Sequence, residues 1–191
     1  MKLGIIGLAG SGKTTVFEAL TRDFAGSGNK ADTRLGTIKV PDERVDALSG
    51  IFSPQKTIHA QVSYFLPGKA VQKKDGGREE SPWTAARDAD ALIHVVRNFR
   101  QFGLEDPNPA DDFVRLDQEL IIADLVVVEK KLERMAADSK KSLKSDPEER
   151  VLLEECKASL DAEIPLRRAP HLAEARVLRG YAFLSAKPML V

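Results

Sequence analysis

One octapeptide near the start of the chain is its clearest single motif: Gly7-Leu8-Ala9-Gly10-Ser11-Gly12-Lys13-Thr14. It fits the pattern G-x-x-x-x-G-K-[ST], in which backbone amides and a lysine surround phosphate groups. Residues 2–6 before it form a short apolar run typical of a buried parallel strand, and residues 15–20 after it have apolar residues at helical spacing. A strand, a glycine-rich turn and a helix N-terminus in this order predict an anion-binding site.

The residue types of this phosphate loop, residues 7–14, suit the binding of a nucleotide. Glycine lets backbone N–H groups approach phosphate oxygens, because a Cβ in the tight part of the turn would block them. We expect Lys13 to contact the β- and γ-phosphates as the catalytic cation, and the Thr14 hydroxyl to ligate Mg²⁺. Thr15 either donates to a phosphate or only occupies the first helical turn. The predicted nucleotide-binding residues are Gly7, Ala9, Gly10, Ser11, Gly12, Lys13, Thr14 and Thr15.

Composition narrows the class of protein. A length of 191 residues suits one domain with an appendage and is enough for a core. The 29 basic and 29 acidic residues balance, so net charge gives no general attraction to nucleic acid or to a membrane. Cys156 is the only cysteine and forms no internal disulfide, which fits a reducing cytoplasm. No apolar run reaches the roughly 18 residues of a membrane span and no signal peptide is present, so we expect a soluble cytoplasmic protein.

The alternation of strands and helices predicts an α/β fold of the P-loop NTPase type, a three-layer sandwich. Its mainly parallel sheet would be covered on both faces by helices. Beyond the first strand, we predict strands at residues 35–40, 59–66 and 91–96 and the beginning of another at 188–191. We predict helices at residues 13–24 and 83–87, a short helix from residue 41 toward 51, and one more helix at residues 172–184.

The second half of the chain predicts a helical hairpin. In residues 113–135 the apolar positions follow the spacing of a coiled-coil seam: Ile121, Leu125, Val128, Leu132 and Met135. Asp146 followed by Pro147 predicts the start of a second helix. That helix carries Leu153, Cys156, Leu160 and Ile164 at similar spacing. We therefore expect an antiparallel hairpin at residues 113–165, inserted into a nucleotide-binding domain made of residues 1–112 and 166–191.

Several short matches, in order along nearly the whole chain, resemble the YchF family of Obg-related P-loop GTPases. The most specific is Asn108-Pro109-Ala110-Asp111-Asp112, followed by Glu119-Leu120 and Ala123-Asp124-Leu125. Further matches are Pro41-Asp42-Glu43-Arg44-Val45, Pro54-Gln55-Lys56, His94-Val95-Val96-Arg97 and Lys187-Pro188. The resemblance implies a G-type domain that binds GTP or ATP with Mg²⁺ and associates with the ribosome or a translation factor.

The resemblance is weakest at about residues 23–35 and 63–82, where the family has its two switches. Lys30 stands about where the first switch has a threonine that reads the γ-phosphate, and Thr33 is out of register. Phe65 takes the place of the metal-supporting aspartate that begins the second switch, and no carboxylate follows that strand before Asp75. Because phosphoryl transfer depends on positioning and charge neutralisation, we expect hydrolysis to be slow or to need another group.

Val191 stands just before the position of the family's base-reading motif. This motif is N-K-x-D in GTPases and N-x-x-E in YchF proteins, and the N-x-x-E form is associated with a preference for ATP. The last strand and helix of the G domain and a TGS domain follow that motif in the family. An end inside an apolar strand favours a fragment over a truncated relative. The predicted nucleotide-binding domain is therefore an incomplete G domain.

Two functions are open at this point, and a third possibility is that the incomplete domain binds nucleotide only weakly because its base pocket is missing. The first is a Mg²⁺-dependent GTPase or ATPase that acts as a ribosome-associated switch, with the hairpin as its partner-binding arm. The second is a catalytically degenerate nucleotide- or phosphate-binding domain that uses the hairpin to bind protein or RNA. For Lys140, Lys141 and Lys144 at the hairpin tip, a solvated polar tip is favoured over an RNA contact. His94 is interpreted as a core histidine with satisfied nitrogens rather than as a catalytic base.

Overall fold

The structure, a computed structural model, describes residues 1–22, 33–68, 82–100, 102–103, 105–140 and 146–191. Five strands form one sheet in the order β2-β3-β1-β4-β5. Their bounds are β1 Lys2–Ile6, β2 Arg34–Lys39, β3 Gln61–Leu66, β4 Ala91–His94 and β5 Met189–Leu190. β1 pairs in parallel with β3 and β4, and β4 with β5, whereas β2 runs antiparallel to β3. The predicted α/β fold with a mainly parallel sheet is confirmed.

Helices cover both faces of this sheet. They are α1 Lys13–Thr21, α2 Glu43–Phe52, α3 Pro82–Arg87, α4 Pro109–Lys140, α5 Pro147–Asp161 and α6 Pro170–Ala173. Ile5 of β1 packs on one face with Phe17 of α1 and Leu66 of β3. Ile6 points to the opposite face, because side chains alternate along a strand. There it joins a second buried cluster with α3 and α4, which contains Ala86, Leu92, Leu116, Leu120 and Leu184.

The α4 and α5 helices pack against each other as a hairpin. Ion pairs join Lys131 to Glu149 and Glu129 to Lys157, so the two helices run antiparallel. The predicted seam lies in one hydrophobic cluster, which contains Ile121, Leu125, Val128, Leu132, Met135, Leu153, Cys156 and Leu160. Ile164 does not belong to it, because α5 ends before this residue and its side chain is 43% exposed. No helix in the described part of the chain is long and apolar enough to cross a membrane.

The starts of α4 and α5 follow the expected capping chemistry. The Asp146 side chain accepts the Glu148 N–H at 3.0 Å, as predicted for the start of α5. α4 begins at Pro109, four residues before the predicted start, and the Asn108 side chain hydrogen-bonds Asp111 in its first turn. Residues 141–145 at the hairpin tip lie outside the described ranges, as does the side chain of Lys140.

The prediction of one helix at residues 172–184 is wrong. The chain there forms α6, a separate 3-10 helix at Arg176–Tyr181, and an extended stretch before β5. Leu172 and Leu178 are both buried in the hairpin cluster. Six residues apart, they would lie about 120° apart around a continuous α-helix, too far for one narrow face. The segment must therefore bend to bury both, and it does so at Ala175, which has an extended ψ of 122°.

A fully buried carboxylate joins α4 to the segment that returns to the sheet. Asp124 accepts the N–H groups of Leu184 and Ser185 at 3.0 and 2.7 Å, and the Ser185 hydroxyl at 2.8 Å. Arg87, at the end of α3, donates to the same carboxylate at 2.9 Å. These donors compensate the buried charge, so the return segment is fixed against two helices.

His94 ends β4 and lies in the interior. Its side chain is 2% exposed, and its ring stacks on Phe113 of α4 with centroids 5.3 Å apart and planes at 21°. Neither ring nitrogen has a hydrogen-bond partner among the described residues, which differs from the expectation of satisfied nitrogens. Burial is the main cause that lowers the pKa of His94 below its ordinary value.

We predict that Asp124→Ala lowers the free energy of unfolding by about 3–5 kcal/mol, because it leaves the Arg87 guanidinium and two backbone N–H groups without their buried acceptor. Urea denaturation followed by circular dichroism measures the change. Glu154→Ala is the matched control, since Glu154 forms an exposed ion pair with Arg150 within one helix. Its expected change is under about 0.5 kcal/mol. Equal stability of the two variants would contradict the role of Asp124.

A second prediction concerns pH and stability. Because the pKa of His94 is lower in the folded protein, His94 takes up its proton at a higher pH in the unfolded chain than in the folded one. The contribution of His94 to stability is therefore complete above the unfolded pKa of about 6.5 and is lost as pH falls toward the folded value. The urea concentration at the unfolding midpoint should decrease as the pH is lowered from 7.5 to 5.5, and His94→Phe should make that decrease smaller. An identical fall in both proteins would rule out His94 as its source.

Candidate functional site

The phosphate loop joins β1 to α1 and leaves the start of the helix open. Gly12 caps α1 in the left-handed conformation, with φ 94° and ψ 14°, and no side chain hydrogen-bonds the helix start. Gly10 also has a positive φ, of 78°. Both conformations favour glycine, which carries no Cβ. The first-turn N–H groups of α1, together with the helix dipole, can therefore bind an anion.

Lys13 lies across the loop that precedes it. Its Nζ donates to the carbonyl oxygens of Gly7 at 2.8 Å and Leu8 at 2.6 Å. An ammonium group has three N–H donors, so these two bonds leave a third for a phosphate oxygen. Burial lowers the pKa of Lys13, and a neighbouring polyphosphate would compensate the same desolvated charge.

Gly7 allows the close approach of the loop to β4. A Cβ on this residue would lie 2.4 Å from the Val95 carbonyl oxygen and 2.7 Å from the Ser11 hydroxyl oxygen. Its φ of 154° lies at the edge of the region that favours glycine. Any other residue at position 7 would push the strand end or the loop out of place.

The other predicted site residues fall into two groups. Ala9, Gly10, Thr14 and Thr15 are exposed along the loop and the first turn of α1. Ser11 is buried, its hydroxyl has no hydrogen-bond partner among the described residues, and its N–H donates to Leu8 at 3.3 Å. The Ser11 side chain therefore points into the protein, away from any ligand on the exposed side of the loop.

The donor set fits Mg²⁺ held mostly by its ligand and by water. The exposed Thr14 hydroxyl offers one hard oxygen, and Mg²⁺ in phosphate sites usually keeps several waters and takes phosphate oxygens. No group of three His, Cys, Asp or Glu residues that could hold a metal occurs in the described part of the chain.

The positions that correspond to the switches contain no described carboxylate for a metal. Phe65 is 6% exposed, and the Lys2 ammonium lies 4.8 Å from its ring centroid. Thr33 accepts a long bond of 3.5 Å from the Gly68 N–H, beside the end of β3. Lys30 and Asp75, which the sequence analysis singled out, lie outside the described residues.

Phe99 is a residue of this site that sequence reasoning missed. Its side chain is 45% exposed, and its ring edge lies 3.7 Å from the position of a Cβ on Gly12. An exposed aromatic ring therefore stands beside the end of the phosphate loop. The only signal in the sequence was an aromatic residue among polar ones shortly after β4, which is too weak to predict such a contact.

Comparison with known proteins finds similar sequences over nearly the whole chain. No family model matches the chain. The ribosome-binding ATPase YchF of Bacillus subtilis is 30% identical over 98% of this chain and 54% of its own length. The protein of the same name from Escherichia coli O157:H7 is 31% identical over 99% of this chain and 55% of its own length. The chain thus spans about half the length of the curated relatives it matches.

A solved structure, that of the Schizosaccharomyces pombe YchF GTPase, matches the fold with a TM-score of 0.70. Its sequence is 24% identical, and the match covers 99% of this chain and 55% of that one. The structural match supports the α/β architecture, and the sequence matches extend over nearly all of the chain, including the phosphate loop and the hairpin. These sequence matches and the structural match together support the resemblance to the YchF family.

Proposed function

We propose that this chain binds GTP or ATP with Mg²⁺ at the phosphate loop and hydrolyses it as part of a ribosome-associated switch. The observation that carries the proposal is the position of Lys13, whose ammonium group donates to the loop carbonyls beside the start of α1, where no side chain caps the helix. A cation and a row of free N–H groups at one strand end suit a polyphosphate. The names of the relatives, a ribosome-binding ATPase and a GTPase, support the same proposal.

The residues of the loop have separate roles in this proposal. Lys13 neutralises charge on the oxygens around the β–γ bond, and the first-turn N–H groups of α1 orient the phosphates. The Thr14 hydroxyl would hold Mg²⁺, which would supply electrostatic stabilisation of the phosphate oxygens. In the reaction, water attacks the γ-phosphorus and the β–γ bond breaks. Ala9 and Gly10 line the exposed side of the loop, where a ligand enters.

The hairpin is the proposed partner-binding arm. We assign residues 113–165 to it and residues 1–112 and 166–191 to the nucleotide-binding domain. The hairpin consists of two amphipathic helices whose seam is closed by their own packing and by Leu166, Leu172, Leu178 and Phe183. The faces that remain exposed are available to a ribosome or a translation factor. Such a role places the protein in the cytoplasm.

A second candidate function is favoured by one observation. Phe65 is buried where the family has the aspartate that supports the metal. A domain of this kind can bind a nucleotide or only phosphate, without hydrolysis, and present the hairpin to protein or RNA. Binding and hydrolysis are then separable properties of the same loop.

Lys13→Ala is expected to weaken the binding of Mg-ADP roughly 10- to 100-fold, because it removes a charge-assisted hydrogen bond to phosphate. Isothermal titration calorimetry measures the affinity. Lys157→Ala is the control, since this lysine lies on α5 and pairs with Glu129 and Asp161. It should retain wild-type affinity. Unchanged affinity in Lys13→Ala would remove the phosphate loop as the binding site.

Single-turnover release of phosphate from Mg-ATP and Mg-GTP then separates the two candidate functions. An enzyme that uses Lys13 releases phosphate faster than Lys13→Ala at saturating nucleotide. Equal and slow release by the two proteins, with tight ADP binding by the wild type, would leave only the binding function.

The octapeptide is placed to contact phosphates and not the base, so we predict that ADP and GDP bind with similar affinity. The expected difference is less than about 1.4 kcal/mol, or tenfold. Calorimetric titration with both diphosphates under the same Mg²⁺ concentration tests it. A larger preference would mean that another segment reads the base.

A further inference from the structure

The end of β4 lies against the beginning of the phosphate loop. His94 pairs with Ile6, the last residue of β1, and the Val95 N–H donates to the Ile6 carbonyl at 2.8 Å. The Val95 carbonyl in turn occupies the space beside Gly7, where a Cβ would approach it to 2.4 Å. No free space separates the loop from β4 here, so a shift of the loop must move β4 or be resisted by it.

The opposite side of the same strand end touches the hairpin. The His94 ring stacks on Phe113, in the second turn of α4. One turn further on, Asp117 pairs with Arg167 at 2.6 Å, which ties α4 to the 3-10 helix at Leu166–Arg168. Asp124 then fixes α4 to the return segment. From Gly7 to Asp124 the chain of contacts is continuous.

The stack is also specific in its chemistry. His94 is almost fully buried with both ring nitrogens unpartnered among the described residues, so its hydrogen-bonding groups do not hold it there. The ring–ring contact with Phe113 is the contact that orients it. Removing either ring should therefore loosen the strand end from α4 while the strand pairing of β1 and β4 remains.

We propose that His94 and Phe113 form a positioning pair that couples the phosphate loop to the helical hairpin. Phosphate binding orders the loop, the ordered loop fixes the end of β4 through Gly7 and Val95, and the His94–Phe113 stack passes that restraint to α4. The hairpin is then more rigid with ligand than without it. This is a free-energy coupling between two sites carried by a packed network.

The first arm of the test rests on the proposed nucleotide binding. Hydrogen exchange, read by mass spectrometry, is measured with and without saturating Mg-ADP on wild type, His94→Leu and Phe113→Leu. In wild type, Mg-ADP should slow exchange in the first turn of α1 and also in residues 109–124, there by roughly 2- to 30-fold. In both variants the α1 protection should remain and the protection of residues 109–124 should fall below twofold.

Phe183→Leu is the matched control for this arm. Phe183 is buried in the hairpin cluster and stacks on Tyr181, with ring centroids 5.2 Å apart. The substitution therefore removes a similar aromatic pair at a place away from the phosphate loop. It should keep the ligand-dependent protection of residues 109–124. The proposal would be overturned if His94→Leu and Phe113→Leu kept the protection of residues 109–124. It would also be overturned if Mg-ADP protected α1 in the wild type but left residues 109–124 unprotected.

The second arm needs no nucleotide and decides the coupling if the proposed function fails. Gly7→Ala places a Cβ against the Val95 carbonyl and should speed exchange in residues 109–124 of the ligand-free protein, again roughly 2- to 30-fold. The same change made in Phe113→Leu should have no such effect, whereas in Phe183→Leu it should have the full effect. If Gly7→Ala and Phe113→Leu changed the exchange rates of residues 109–124 by independent factors that multiply, the proposed coupling of the loop to α4 would be overturned. Absence of Mg-ADP protection in α1 would instead overturn the nucleotide proposal alone.

Discussion

The chain passes very close to itself where β1 turns into the phosphate loop, and the candidate site depends on that approach. A residue with a Cβ at position 7 would meet the Val95 carbonyl far inside van der Waals contact. Glycine lets β1 stay paired with β4 to its last residue and still turn into the loop. The turn then delivers Lys13 and the start of α1 to the carboxyl edge of the parallel strands, where open α/β sheets bind their ligands.

The site is rich in donors and poor in acceptors. Lys13 and the free N–H groups of α1 can bind phosphate oxygens, while Phe65, buried near the end of β3, offers no ligand to a metal. Affinity for a polyphosphate needs only the donors, whereas hydrolysis also needs a placed metal and an oriented water. The same loop can therefore bind a nucleotide well and still hydrolyse it slowly.

Local patterns in the sequence predicted the elements whose causes lie within a few residues of each other. The loop with its flanking strand and helix, and the Asp146 cap of α5, are of this kind. The direction of β2 was not readable, because alternating burial is the same in either direction. The bend after Leu172 depends on clusters built by distant segments, and Asp124 acts on Ser185 across the fold. The contact of Phe99 with the phosphate loop and the His94–Phe113 stack each join segments with no shared spacing, so neither contact could be found from the sequence.

The position of the hairpin also bears on the order in which the sheet assembles. Arg87 and Ala182, which hydrogen-bond beside the sheet, are 95 residues apart in the chain. Closing so long a loop directly has a large entropic cost, while α4 and α5 meet through a short connection. Once they pack, Asp124 can capture the return segment, and the short β5 can then join β4. We therefore expect the hairpin to serve as an internal template, with the β5 edge of the sheet completed last.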